Sequence, residues 1–152
     1  MIEFIYDDGG RAASGRRGRA GDCTVRALAI LTDRDYDVCY RALADVHGIV
    51  RGKRSARNGV DKRAYTKVYR EFGLTKVKLP PGPRPTYSEA HERYGDCIVS
   101  TAKHVCAIVS GALRDTHDGR IYHWIGHQDG VQFNEMRERK AQSIWIQTET
   151  NR

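Results

Sequence analysis

The sequence lacks the signals that direct a protein into or across a membrane. It has no apolar run near the roughly 18 residues that a membrane helix needs, and a stretch such as Val105 to Val109 is only long enough for a buried strand. Met1 to Gly10 carries two aspartates and no basic segment ahead of an apolar one, which is not the pattern of a signal peptide. We therefore expect a cytoplasmic protein that makes no contact with a membrane.

Paired cysteine motifs are also missing. The four cysteines, Cys23, Cys39, Cys97 and Cys106, contain no CxxC pair and form no regular framework. Without an export signal, this favours reduced thiols over disulfides. His117, His123 and His127 lie close together in the sequence, but no cysteine pair or suitably spaced carboxylate completes a metal site. We expect neither a metal nor another cofactor.

Acidic residues are in the minority. Lysine and arginine total 26 against 19 aspartates and glutamates, so the net charge is +7. This balance excludes an acidic solvating protein and is compatible with nucleic acid or another anionic partner, although the chain carries no RRM, KH or zinc-finger motif.

With 39% hydrophobic and 30% charged residues, the 152 residues have the composition of one folded domain. We treat residues 1–152 as a single domain.

The first half of the chain has helical periodicity after a basic loop. Residues 9–21 hold five glycines and four arginines without a periodic apolar pattern, which predicts a mobile loop in which nothing packs. Asp22 and Asp35 are predicted as the N-caps of two helices, the second of which ends at Gly48. A third helix is predicted over residues 60–72.

In the second half the period changes from 3.6 to 2, after a short helix at 86–94 that the capping-box spacing of Thr86 and Glu89 predicts. Strands are predicted at 96–100, 104–110, 112–116, 120–125 and 143–147, with shorter ones at 2–6 and 77–79 and a surface turn or short helix at 134–140. Ser110-Gly111 is predicted as a tight hairpin turn. This order indicates an α+β fold in which an N-terminal helical half packs on a C-terminal antiparallel sheet.

Cys23 lies in the first turn of the first predicted helix. The helix dipole and the free N–H groups of that turn favour an anion, so the thiol is expected to ionise easily and the N–H of Cys23 to be free to bind an oxyanion. Gly21, two residues earlier, leaves room for a substrate backbone. The alternative interpretation is that Cys23 is a small buried residue at a helix start.

His104 opens an apolar strand that the Ser110-Gly111 turn pairs with the next one. A two-residue turn places His104 opposite His117 and diagonal to Asp115, so the three side chains share one face of the sheet. Asp115 could then hold one nitrogen of the imidazole and leave the other for a thiol. A shift of the turn by one residue would replace Asp115 with Asp118. The alternative is that these are solvated strand-end and turn residues.

Two segments carry a resemblance to a known family: GDCTVRALAILT at 21–32 and KHVCAIVSGALRDTHDG at 103–119. On these residues the chain resembles the papain-like cysteine peptidase superfamily, and in particular a group of uncharacterised papain-like proteins encoded by tailed bacteriophages. The helix followed by Phe72-Gly73-Leu74 is similar as well. The resemblance spans about residues 20–120 and implies a papain-like version of the α+β fold.

The resemblance implies that Cys23 is the nucleophile, His104 the base and Asp115 the orienting acid of a peptidase, isopeptidase or amidase. Its substrate would be a protein or peptide in the cytoplasm of the infected cell, with Gly21, His117 and Asp118 at the substrate cleft. Papain-like enzymes usually place a glutamine or asparagine upstream of the cysteine as an oxyanion donor, and residues 1–22 contain neither. Asp22 is an ionised auxiliary residue that cannot donate, and the candidate replacements are Ser14, Arg19, Tyr6 and Arg17.

Two other functions fit the same residues. One is a catalytically silent papain-like module that binds virion or host proteins. The other is a basic nucleic-acid-binding protein that uses the arginine-rich loops at 11–19 and 51–57. For the hydrolase, the loops at 51–59 and 80–85 are predicted as cleft walls, and a cleft lined by lysine and arginine favours acidic substrates or partners.

Overall fold

A computed structural model describes residues 1–18 and 20–148 of the chain, and for 121–128 and 131–136 it describes the backbone alone. This part of the chain is a mixed α+β structure with four helices and an open six-stranded sheet. The helices are α1 (Cys23–Thr32), α2 (Tyr36–Arg51), α3 (Lys62–Glu71) and α4 (Tyr87–Tyr94). The strands are β1 (Glu3–Tyr6), β2 (Leu74–Lys76), β3 (Cys97–Thr101), β4 (His104–Val109), β5 (Ala112–Asp115), β6 (Ile121–Gln128), β7 (Val131–Arg137) and β8 (Ser143–Gln147).

Local capping explains where the later helices begin. The carboxylate of Asp35 accepts from the backbone N–H groups of Asp37 and Val38 at the start of α2, as predicted. At α4, Thr86 and Glu89 form the predicted capping box, in which each side chain bonds to the backbone of the other. Both starts could be identified because an N-cap is a property of three or four neighbouring residues.

The predicted end of α2 at Gly48 is wrong. The helix continues for one more turn and ends at Gly52, which has a φ of 84° and donates its N–H to the carbonyl of Gly48. Gly48 instead allows the chain to pass close to the helix, because a Cβ at this position would lie 3.2 Å from Cα of Arg54. The segment that follows α2 therefore crosses closely over its last turn.

The six-stranded sheet has the order β1-β5-β4-β3-β8-β2. All of its pairs are antiparallel except β1–β5, so the predicted antiparallel sheet is wrong at one edge, where the strand predicted at 2–6 joins as β1 in a parallel pair. The chain crosses the whole helical layer between β1 and β5, and such a long connection permits a parallel pair. The strand predicted at 77–79 is β2, three residues earlier, where Leu74 is buried directly after Gly73.

The strands β6 and β7 form a separate two-stranded sheet. The predicted surface turn or short helix at 134–140 is therefore wrong, because residues up to Arg137 belong to β7. The two strands are joined at Asp129 and Gly130, whose φ angles are 51° and 76°. Asp-Gly between two extended runs is a hairpin signal that the mixed charges of the following segment obscure.

Each face of the six-stranded sheet is covered by helices. Residues of β3 alternate between the two sides: Ile98 packs with α1, α2 and α3, whereas Cys97 and Val99 pack with α4. The larger core contains Leu28, Leu43, Val68, Tyr69 and Trp145, and the smaller one contains Tyr87, Ile108, Leu113 and Ile144. Within the described residues, no helix has the length and apolar character that crossing a membrane requires.

Candidate functional site

Cys23 is the first residue of α1, and its side chain is half-buried at the edge of the larger core. The first turn of this helix is fixed from the core side, because the hydroxyl of Tyr69 on α3 donates to the carbonyl of Thr24 at 2.8 Å. The backbone N–H of Cys23 lies among those that the helix cannot bond itself. The thiol is therefore held at the N-terminus of α1, and the packing of this helix on the core fixes its position.

The hairpin of β4 and β5 brings His104 and Asp115 together. Ser110 and Gly111 form the predicted turn, with φ angles of 52° and 77°, and Val109 pairs with Ala112. In this register Nε2 of His104 is in direct hydrogen-bond contact with Oδ2 of Asp115. A carboxylate can only accept, so Nε2 carries the proton. The other ring nitrogen, Nδ1, is left for the thiol of Cys23.

The ionisation of this group of side chains is coupled. Hydrogen bonds with Asp115 and with the side chain of Cys23 raise the pKa of His104 to about 9, against the opposing effect of its burial. Burial would raise the pKa of Asp115, but its contacts with His104, the N–H of Thr116 and Arg26 outweigh this and lower it. At neutral pH, His104 is therefore an imidazolium held by the Asp115 carboxylate.

Asp22 does not cap α1, contrary to the prediction. Its side chain is fully buried and makes no hydrogen bond to the helix backbone. Instead it accepts from the guanidinium of Arg26, from the guanidinium of Arg11 at 3.0 Å and from the hydroxyl of Tyr36. A buried carboxylate needs charged partners more than a solvent-exposed helix end needs a cap.

Arg26 connects this buried group to the site. One of its Nη atoms binds Asp22 and the other lies 3.4 Å from Oδ1 of Asp115. The sequence analysis missed Arg26, Arg11 and Tyr36. The i, i+4 spacing of Asp22 and Arg26 on one helix was the only local signal, since the other contacts join residues 11 to 89 positions apart.

Asp118 and His117 occupy different places. Asp118 binds the guanidinium of Arg120, with Nη2 at 2.6 Å and Nε at 2.8 Å, so Asp115 is the carboxylate that faces His104. The ring of His117 is exposed, and its centroid lies 5.2 Å from that of the His104 ring.

Within the described residues, His104, Asp115 and His117 have ligand atoms within 4.8 Å of one another and could hold a metal ion. The guanidinium of Arg26 against Asp115 opposes a divalent cation there.

The remaining predicted residues lie upstream of the helix. The hydroxyl of Ser14 donates to the carbonyl of Arg11 at 2.6 Å, so it is committed to its own loop. Gly21 forms an isolated bridge with Asn58. Arg19 lies outside the described residues. The expectation that nothing packs between residues 9 and 21 is wrong for Arg11, which is only 7% exposed because Asp22 and Tyr36 hold it in the interior.

Cys23 and His104 line a cleft of about 340 Å³. Three lysines also line it, Lys62, Lys76 and Lys103, together with the amide-bearing Gln142. Of the two predicted cleft walls, the loop at 51–59 contributes Gly59. The loop at 80–85 contributes none of the described residues that line the cleft. It leads into α4 instead, and the carbonyl of Pro85 accepts a hydrogen bond from the N–H of Ala141.

All four cysteines are free thiols, as predicted. Three of them are buried in the core, and burial raises the pKa of Cys39 and of Cys97 to about 12 and that of Cys106 as well. Cys23 is the cysteine that lines a cleft.

Comparisons of the chain with protein-family models, with curated proteins and with solved structures found no match.

Proposed function

We propose that the protein is a papain-like thiol hydrolase, a peptidase, isopeptidase or amidase, that uses Cys23, His104 and Asp115. The observation that carries this proposal is that one imidazole, His104, contacts the Asp115 carboxylate and lines the same cleft as the Cys23 side chain. Acyl transfer requires a nucleophile, a base and a group that orients the base. The resemblance in 21–32 and 103–119 supports a phage-encoded enzyme with a protein or peptide substrate in the host cytoplasm.

The reaction follows from the charges at the site. The Cys23 thiolate attacks the carbonyl carbon of an amide, and the new S–C bond moves an electron pair onto the carbonyl oxygen. The N–H of Cys23 and the amide of Gln142 are donors that this cleft offers to that oxyanion. As the C–N bond breaks, His104 gives its proton to the leaving amine. Water then attacks the thioester carbon and gives one proton to His104, and the S–C bond breaks, which releases the carboxylic acid and returns the electron pair to the sulfur of Cys23.

Asp115 keeps the base in the required state throughout. Its contact with Nε2 fixes the orientation of the ring and stabilises the imidazolium before each proton transfer. Because Asp115 is itself held by Arg26 and by the N–H of Thr116, it remains ionised in a buried position.

The proposal is tested by the pH dependence of Cys23 alkylation with iodoacetamide, followed by mass spectrometry. In the wild-type protein we expect a rate constant that changes little between pH 6 and pH 8, because the ion pair with His104 maintains the thiolate. In His104→Ala the rate at pH 6 should fall roughly 100-fold, to that of an ordinary thiol with a pKa near 8.5. His91→Ala, on α4, is the matched control and should behave as the wild type.

Turnover is tested with p-nitrophenyl acetate. We expect a burst of nitrophenolate and an acetyl thioester on Cys23, both absent in Cys23→Ser. If His104→Ala is alkylated at the wild-type rate at pH 6 and no acetyl group is found on Cys23, the hydrolase proposal is wrong.

A further inference from the structure

A second and larger cavity, of about 840 Å³, lies beside the catalytic cleft. Four arginines line it: Arg11, Arg16, Arg17 and Arg26. Two of these, Arg11 and Arg26, are more than nine-tenths buried. The cavity combines a concave shape with buried cationic groups, which is unlike a surface patch of solvated side chains.

The cavity and the cleft adjoin at two histidines. His117 lines the cavity, His104 lines the cleft, and their rings are 5.2 Å apart. Arg26 lines the same cavity and contacts Asp115, the partner of His104. A chain bound across Cys23 could therefore extend past this ring pair and place one side chain among the arginines.

Most of the charged groups that line the cavity are paired. Two carboxylates line it, and both are already satisfied: Asp22 by Arg11 and Arg26, and Asp8 by the backbone N–H groups of Gly10 and Ala12. Those backbone bonds outweigh the effect of burial and lower the pKa of Asp8. Three of the four guanidinium groups are also paired, Arg11 and Arg26 with Asp22, Arg26 with Asp115 at 3.4 Å and Arg16 with Asp37 at 3.0 Å, and Arg17 takes part in none of these pairs.

Two donors in the cavity have no acceptor. The Nε atoms of Arg16 and Arg26 are buried, and neither makes a hydrogen bond to any described residue. Both guanidinium groups bind carboxylates through their Nη atoms, and only their Nε atoms remain unsatisfied in the interior. Arg17 is exposed at the same cavity, where its guanidinium can meet an entering ligand.

We propose that this cavity binds the carboxylate side chain of the substrate, so that the enzyme acts on acidic peptide segments. This inference rests on the proposed function, since it names the substrate of that site. The three lysines of the cleft act in the same direction. A concave site with buried guanidinium groups suits a small carboxylate, whereas a nucleic-acid backbone is bound along exposed basic grooves.

The inference is tested by binding of fluorescein-labelled hexaglutamate to Cys23→Ser, measured by anisotropy, with hexaglutamine as the neutral comparison. We expect hexaglutamate to bind and hexaglutamine not to bind. Arg17→Glu should weaken hexaglutamate binding about tenfold, because it removes one ion pair and adds a repulsion. Arg84→Glu makes the same change of net charge at an exposed loop that lines neither cavity, and should leave binding unchanged.

Protection of Cys23 gives the second measurement. In the wild-type protein, hexaglutamate should slow alkylation by iodoacetamide, and Arg17→Glu should reduce this protection. The inference is overturned if Arg17→Glu and Arg84→Glu weaken binding equally, or if an oligothymidylate of equal charge binds and depends on Arg17 to the same degree. The anisotropy experiment does not need the thiol, so its result is independent of whether the hydrolase proposal holds.

Discussion

His104 is the titratable base of this site, and its ionisation depends on both Asp115 and Cys23. Its pKa is raised from 6.5 to about 9. The stabilisation that this shift represents is fully present below about pH 6.5 and is lost as the pH rises through about 9. The lowered pKa of Asp115 acts at the other end, since that stabilisation is present above about pH 4 and is lost as the carboxylate is protonated. The pair stabilises the fold most between these limits.

We therefore expect the free energy of unfolding of the wild type to fall between pH 6.5 and pH 9 by up to about 3 kcal/mol more than that of Asp115→Asn, since one pKa unit corresponds to about 1.4 kcal/mol. The asparagine keeps the shape of the side chain but removes the charge that holds the proton on His104. Urea unfolding followed by circular dichroism at several pH values measures the difference. Parallel pH profiles for the two proteins would contradict it.

At the scale of elements, α1 and β5 are joined by a charged contact in the interior. Arg26 lies between Asp22, which precedes its own helix, and Asp115 at the end of β5. Removing one partner from a buried ion pair leaves an uncompensated charge, which costs far more than breaking a pair at the surface. The helix that carries the thiol and the strand that carries the acid are thus joined by a buried ion pair as well as by the packing of the core.

For Arg26→Met we expect a loss of about 3 kcal/mol in the free energy of unfolding. Methionine retains much of the apolar volume, so the loss reports mainly the removal of one of the cations that Asp22 and Asp115 share with Arg11 and His104. The control is Arg93→Met, which breaks an exposed i, i+4 pair with Glu89 and should cost less than about 0.5 kcal/mol. Equal losses for the two variants would show that the buried ion pairs stabilise the fold no more than the exposed pair does. Chemical denaturation at pH 7 provides the values.

The same elements show what the sequence could and could not predict. The turn at Ser110-Gly111 and the register that joins His104 to Asp115 follow from period-2 alternation and turn chemistry, which are local. The capping box of Thr86 and the cap at Asp35 are local as well. By contrast, β1 pairs with a strand more than a hundred residues away, and Asp22 also binds Arg11 and Tyr36, which lie outside its own helix. Neither leaves a pattern in neighbouring residues.

On the scale of the whole molecule, the site depends on two layers at once. Cys23 belongs to the helical layer, and His104 and Asp115 belong to the sheet. The larger core lies between them and includes Tyr69 and Trp145, whose rings make an edge-on contact with centroids 5.5 Å apart. Separating the layers would both expose this core and dismantle the site, so we expect them to open in one step.

The buried thiols can test this cooperativity. Cys39 lies in α2 and Cys106 in β4, and both are buried. In a Cys23→Ser background under native conditions, both should be alkylated at slow and similar rates, because each requires the same opening of the structure. Mass spectrometry of peptides sampled over time resolves the two sites. Labelling of Cys39 much faster than Cys106 would mean that the helical layer opens alone.

The parallel pairing of β1 with β5 has a practical consequence for work with this protein. The backbone N–H of Asp7 donates to the carbonyl of Asp115 at 2.9 Å, so the first strand supports the residue that orients His104. An affinity tag or fusion partner attached ahead of Met1 would pull directly on that strand. Purification handles are better placed at the other terminus, and a chain shortened at its start by proteolysis should be checked before its enzymatic assays are interpreted.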